Sequence, residues 1–91
     1  MRHTVTVTDT ATIARLIHQE RKRQGLRQDD LAAMAGASDA FLRDVERGKP
    51  SVQLGKVLSV LNELGIRVVL ELPGSAPLDS APADPPPGIA G

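Results

Sequence analysis

Apolar residues recur every three to four positions through most of this chain and then, over one short segment, every second position. Ile13, Leu16 and Ile17, with Gln24 in the same register, lie behind Asp9 or Thr10 as a cap and ahead of Gly25 as a stop. They predict a helix over about 10–24. Leu31, Ala32 and Ala35 predict a second helix over about 28–35, ended by Gly36. A third, about 39–47, takes Ser38 as its N-cap, turns Leu42 and Val45 inward and stops at Gly48. After the break "KPS", Ser51 is expected to cap a fourth helix, with Leu54, Val57, Leu58, Leu61 and Leu64 as its apolar stripe and Gly65 as its end. From there the period changes. "IRVVLEL" sets Ile66, Val68, Leu70 and Leu72 on one face and Arg67, Val69 and Glu71 on the other, the alternation of a strand.

A lone strand is unstable, so residues 66–72 need a partner. Two copies paired antiparallel about a two-fold axis at Val69 place Arg67 of each chain opposite Glu71 of the other. Pairing with the weakly alternating residues 3–8 of the same chain is the alternative. Four divisions follow: an N-terminal arm or short strand at 1–8, a helical domain at 9–65, a dimerisation strand at 66–72 and a tail at 73–91. The tail, "PGSAPLDSAPADPPPGIAG", offers almost nothing to bury and is expected to be disordered. It serves either as an inert, protease-sensitive end or, through Leu78 and Ile89, as an anchor for a partner. The expected fold class is all-α, a four-helix unit with one short C-terminal β-strand shared across a homodimer.

Composition narrows the function. The 91 residues make one small domain, whose limited core favours self-association. There are no cysteines, which excludes disulfides and thiolate metal sites. No apolar run approaches the ~20 residues that span a bilayer, and the first residues lack a secretory core, so the expectation is a cytoplasmic protein with no membrane partner. The net charge is zero but unevenly spread: residues 14–56 carry nine Lys or Arg against six acids, whereas residues 57–91 carry Arg67 against four acids. No nucleophile and histidine pair, glycine-rich phosphate loop or carboxylate pair stands out, so neither an enzyme nor a cofactor nor a small-molecule ligand is expected. His3 and His18 have no metal-ligand neighbours at useful spacing and are assigned surface roles. Gly55, inside the fourth helix, costs ~1 kcal/mol relative to alanine, a cost that a close packing contact or mere drift would explain.

"RQDDLAAMAGASDAFLRDVERG" has the spacing of two short helices packed steeply around a glycine turn. Ala32 is small where the helices cross, and Gly36 supplies the positive φ of the turn. With Leu42 and Val45 docked, the third helix leaves Asp39, Ala40, Arg43 and Asp44 to solvent, and in such a pair the second helix enters the major groove of double-stranded DNA. Gln28, at a helix start, is placed for a phosphate. Arg43 suits either a bidentate guanine contact or a phosphate. Asp39 either stabilises the helix N-terminus or reads a cytosine amino group. Arg47, Lys49 and Ser51 surround a further candidate phosphate site, and Arg15, Lys22 and Arg23 on the first helix are weaker candidates. Phe41, the only aromatic, belongs to the core or meets a thymine methyl.

"RKRQGLRQDDLAAMAGASDAFLRDVERGKPS" resembles the Cro/C1-type (XRE) helix-turn-helix family, over about Ile13 to Leu64. Gly25, Leu26, Gln28, Leu31, Ala32, Gly36, Ser38, Glu46, Gly48 and Lys49 stand where that pattern expects them. "ERGKPSVQLGKVLSVLNELGIRVVLEL" is similar to HipB-type antitoxins. The resemblance implies a lambda-repressor-like fold, a homodimer on an inverted-repeat operator, autorepression, and a HipA-like kinase toxin as partner. It also implies a buried ion pair between Arg21 and Glu46. Arg27 replaces the usual Ser or Thr cap before the glutamine, which loses the cap and gains a phosphate ligand. The DNA-binding set is therefore Arg27, Gln28, Ser38, Asp39, Ala40, Arg43, Asp44, Arg47, Lys49 and Ser51. Two other functions fit the same residues: a stand-alone transcription factor, or the fold used mainly as a protein-interaction module.

Overall fold

The computed structural model describes residues 2–74. Four helices follow one another: α1 (Thr10–Arg23), α2 (Gln28–Met34), α3 (Asp39–Glu46) and α4 (Leu54–Glu63). Each helix gives the core one side chain wholly removed from solvent, Ile17, Leu31, Leu42 and Val60 in turn. Ala14, Ala32, Val45, Val57, Leu61 and Leu64 complete the buried set, with Phe41 and Val52 packed at its margin. At about 1.5–3 kcal/mol for each large aliphatic side chain, this core supplies most of the drive to fold.

Local signals set the helix ends. The Asp9 carboxylate accepts from the Thr12 amide at 2.9 Å, and Ser38 Oγ accepts from the Phe41 amide at 3.0 Å, which caps α1 and α3 as expected. All four helices stop in the same way. A glycine turns left-handed, and the amide after it returns to a carbonyl one turn back, as in Leu26 to Arg21, Ala37 to Ala32, Lys49 to Asp44 and Ile66 to Leu61. At Gly36, φ is +69°, and this turn sets α3 against α2. At Gly48 an added Cβ would stand 3.6 Å from Ala11 Cα, which is how closely the end of α3 approaches the start of α1.

α4 departs from the expectation in two ways. Ser51 is not its cap: the helix starts three residues later, at Leu54, with Gln53 in the N-cap position and no side-chain bond. Val52 tucks against the core, so the chain must first turn over residues 50–52. The buried stripe is Val57, Val60, Leu61 and Leu64, whereas Leu54 is 66% and Leu58 44% exposed. The apolar arc of α4 is wider than the surface the other helices offer, and its outer ridge stays uncovered.

Residues 66–72 form no strand in the single chain, and among the described residues there is no ladder with residues 3–8. The physical reason is the one that made a partner necessary: a strand acquires its hydrogen bonds only from a neighbour. Apart from Ile66, which packs against the core, the segment lies open, with Val69 73% and Leu70 81% exposed. The N-terminal arm touches the bundle where Arg2 Nη1 donates to the Gly65 carbonyl at 3.2 Å. The expectation of a disordered tail falls, from residue 75 onward, outside the described residues.

The two glycines of opposite type give a stability test. Gly55 lies in a helix with open space around its Cα, so Gly55→Ala should raise stability by ~1 kcal/mol. Gly36→Ala, at positive φ, should lower it by ~1–2 kcal/mol. Urea denaturation followed by circular dichroism measures both.

Candidate nucleic-acid interface

The frame of the site is a buried ion pair. Arg21 Nε donates to Glu46 Oε2 at 2.7 Å and Arg21 Nη2 to Glu46 Oε1 at 3.0 Å, while Arg21 Nη1 donates to the Leu26 carbonyl at 2.8 Å. The two side chains are 8% and 5% exposed. The pairing implied by the family resemblance is therefore present, and it joins α1, the turn before α2, and the end of α3. Two further residues share it. His18 Nδ1 lies 2.8 Å from Glu46 Oε1, and Gln28 Nε2 donates to the same oxygen at 3.2 Å. Burial alone would raise the Glu46 pKa; hydrogen bonds from Arg21, His18 and Gln28 outweigh it and hold the carboxyl below its ordinary value.

His18 lies at the surface, as expected. Its side chain is half exposed, and its ring is also anchored to this pair, a contact that exists only because α3 brings Glu46 to it. Gln28 heads α2 as expected, yet its bond to Glu46 depends on the docking of α3 and has no signature in the sequence.

The outer face of α3 is arranged as the spacing predicts. Asp39, Ala40 and Arg43 are exposed, and among the described residues Arg43 makes no ion pair and no side-chain hydrogen bond. Arg27, Gln28, Asp29, Asp39 and Arg43 line one open depression between the starts of α2 and α3. Asp44 leans away toward Lys49, whose Nζ is 3.6 Å from Asp44 Oδ2, so this pair largely cancels within the face. Ser38 Oγ accepts a helix amide, which leaves its hydroxyl hydrogen free to donate. Arg47 and Ser51 are exposed beyond the end of α3, though Ser51 has no helix N-terminus behind it.

Arg27 is 78% exposed, with Nη2 3.3 Å from Asp29 Oδ2. It provides no side-chain cap, but half of a capping box survives in reverse, because Asp30 Oδ2 accepts from the Arg27 amide at 2.9 Å. Phe41 packs against the core, in line with the first of its two readings. On α1, Arg23 is engaged by Glu20, whose carboxyl is lowered to about 2 by hydrogen bonds from Arg23 and Gln24. Gln24 Nε2 also donates to the Leu64 carbonyl at 2.9 Å and so ties the ends of α1 and α4.

A packed pair of helices joined by a glycine turn, a capped outer helix and a buried Arg–Glu brace define a helix-turn-helix unit. The chain belongs to the helix-turn-helix family of XRE type, whose model matches residues 17–70. An uncharacterized HTH-type transcriptional regulator, y4mF of Sinorhizobium fredii, is 48% identical over 64 residues, which is 70% of this chain and 84% of the relative. Solved structures of similar fold include the HipA-HipB-O2-O3 complex, with a TM-score of 0.69 at 19% identity over 74% of this chain and 94% of that one. The HipB-O4 20mer complex is similar too, with a TM-score of 0.68 at 19% identity and the same coverage of both chains.

Removing one partner of the brace strands the other charge. Arg21→Met should therefore cost ~3–5 kcal/mol in a urea titration. The pH dependence has a fixed sign. Folded Glu46 holds its proton less tightly than the unfolded carboxyl, so its contribution is present above the ordinary value of 4.5 and is lost as pH falls through the lower folded value. Stability measured from pH 6 down to pH 3 should fall, and Glu46→Gln should flatten the part of that slope due to this group.

Proposed function

We propose that the chain is a sequence-specific DNA-binding repressor that acts as a homodimer, is the antitoxin of a HipA-like kinase toxin, and represses its own operon. The observation that carries the DNA-binding part is the outer face of α3, where Arg43 stands exposed and unpaired among the described residues on a helix braced from behind. Each copy sets that face to the major groove, with Arg43 as the base-reading candidate and Gln28, Ser38, Arg27, Arg47 and Lys49 as phosphate ligands. Asp39, at the first turn of α3, stabilises the helix N-terminus or accepts from cytosine.

The dimer is supported by what the single chain leaves open. Leu54 and Leu58 on α4, and Val68, Val69, Leu70 and Leu72 beyond it, are exposed large apolar residues with no cover in the fold. Antiparallel pairing of residues 66–72 gives the segment its backbone hydrogen bonds, sets the apolar side chains of the two copies side by side, and places Arg67 against Glu71 of the other copy. Two α3 helices then meet half-sites one turn of B-form DNA apart, ~34 Å, on an inverted repeat. The antitoxin role is supported by the likeness to HipB within a complex that also holds HipA. A stand-alone regulator is the second reading, supported by the name of the curated relative. Catalysis has no part in either.

A gel shift with DNA from upstream of the gene should show a retarded complex that weakens steeply between 50 and 200 mM salt. Arg43→Ala should cost ~1–3 kcal/mol on that DNA and much less on unrelated sequence; a uniform loss would reassign Arg43 to a phosphate. In sedimentation, Arg67→Glu should weaken the dimer and Arg67→Glu with Glu71→Arg should restore it. A wild-type monomer would defeat the strand pairing. Co-purification with a kinase encoded next to the gene distinguishes the antitoxin from the stand-alone regulator.

A further inference from the structure

We propose that His18 is a phosphate-binding side chain of the DNA interface and engages only when protonated, so that binding DNA takes up a proton. The inference rests on the DNA-binding reading above. It begins with one carboxylate oxygen. Glu46 Oε1 lies 2.8 Å from His18 Nδ1, 3.0 Å from Arg21 Nη2 and 3.2 Å from Gln28 Nε2. An ionised carboxylate only accepts, so Nδ1 must carry a hydrogen. Arg21 Nη2 is also 3.3 Å from Nδ1, but with a hydrogen on each nitrogen this is a contact between donors and not a bond. The tautomer is thereby fixed. In the neutral ring Nε2 is bare and can only accept.

Phosphodiester oxygens also only accept. A neutral His18 therefore has nothing to offer a DNA backbone, whereas the imidazolium presents a charged Nε2–H and keeps its Nδ1 bond to Glu46. Position and exposure suit that role. The side chain is half exposed, and Nε2 makes no hydrogen bond among the described residues. The ring shares its anchoring oxygen with Gln28 at the head of α2, so one carboxylate places two candidate phosphate donors side by side. Charged groups of both signs surround the ring. Glu46 on α3 and Arg21 on α1 face it with opposite charges, and α2 offers the neutral Gln28 while its Asp29 and Asp30 face Arg27. Arg15 and Lys22, three and four residues away along α1, are exposed cations. A phosphate arriving beside the ring brings a negative acceptor that the imidazolium can meet and the neutral ring cannot.

Backbone contacts are independent of sequence, so a fluorescent mixed-sequence duplex at low salt is a sufficient probe. Anisotropy titrations with the full chain from pH 8 to pH 6 should show wild-type binding tighten by about tenfold for each engaged protomer. His3→Gln should keep that slope, and His18→Gln should be nearly flat across the range, because an amide does not titrate there. Circular dichroism at each pH checks that the variants are folded. Calorimetry of the wild type in two buffers of different ionisation enthalpy counts the protons directly and needs no variant. Tight binding with a flat profile and no proton uptake, or a slope that survives His18→Gln, overturns the role of His18 and leaves the DNA-binding reading intact. Absence of binding at every pH overturns both.

Discussion

The buried bond between Arg21 and Glu46 is the constraint on which the arrangement of this protein depends. An arginine late in α1 and a glutamate at the end of α3 are both almost fully withdrawn from water, and each is stable there only because the other is present. The guanidinium also holds the Leu26 carbonyl, in the turn that leads into α2. One planar, five-donor group thus fixes the relative position of three consecutive elements. A hydrophobic pair of similar size could match its contribution to stability, but it would slide more easily. The directional bonds set the angle at which α3 stands.

That angle decides what α3 can offer. Its inner face is spent on Leu42 and Val45, and its end on Glu46, so only Asp39, Ala40, Arg43 and part of Asp44 remain for a partner. The acidity of this face, which argues against nucleic acid when the residues are merely counted, is reduced in space: Asp44 is met by Lys49, and Asp39 lies at the positive end of a helix. Arg43 keeps its charge unspent. The same brace gathers Gln28 and His18 around a single oxygen, so the residue that stabilises the frame also organises the side chains beside it.

The apolar surface tells a complementary story about size. A four-helix unit this small cannot cover all of its own apolar residues. Val57, Val60, Leu61 and Leu64 close the core, and the next ridge of α4 with the segment that follows is left over. Such a surplus beyond a completed core fits association with a second copy better than a fault in the fold, because the leftover segment alternates like a strand and carries its own complementary charges at Arg67 and Glu71.

Much of this was legible along the chain because it depends on neighbours in sequence. The four helices, the Asp9 and Ser38 caps and the four glycine stops are local matters of backbone conformation and nearby hydrogen bonds, and each lies within a residue or so of its expected place, with the start of α4 the exception. Residue resemblance also placed Arg21 opposite Glu46. Other features depend on what arrives from elsewhere. Which side of α4's broad apolar arc would be buried, Val60 and not Leu54 and Leu58, was decided by the surface that α1 to α3 present. The start of α4 moved because Val52 found a place in the core. His18 and Gln28 joined the brace only once α3 brought Glu46 to them. Sequence by itself determined where the chain coils and where it stops, since those choices are made within one turn. Tertiary structure decided which faces meet and which donors share an acceptor, because burial and ion pairing are properties of groups that the chain brings together from dozens of residues apart.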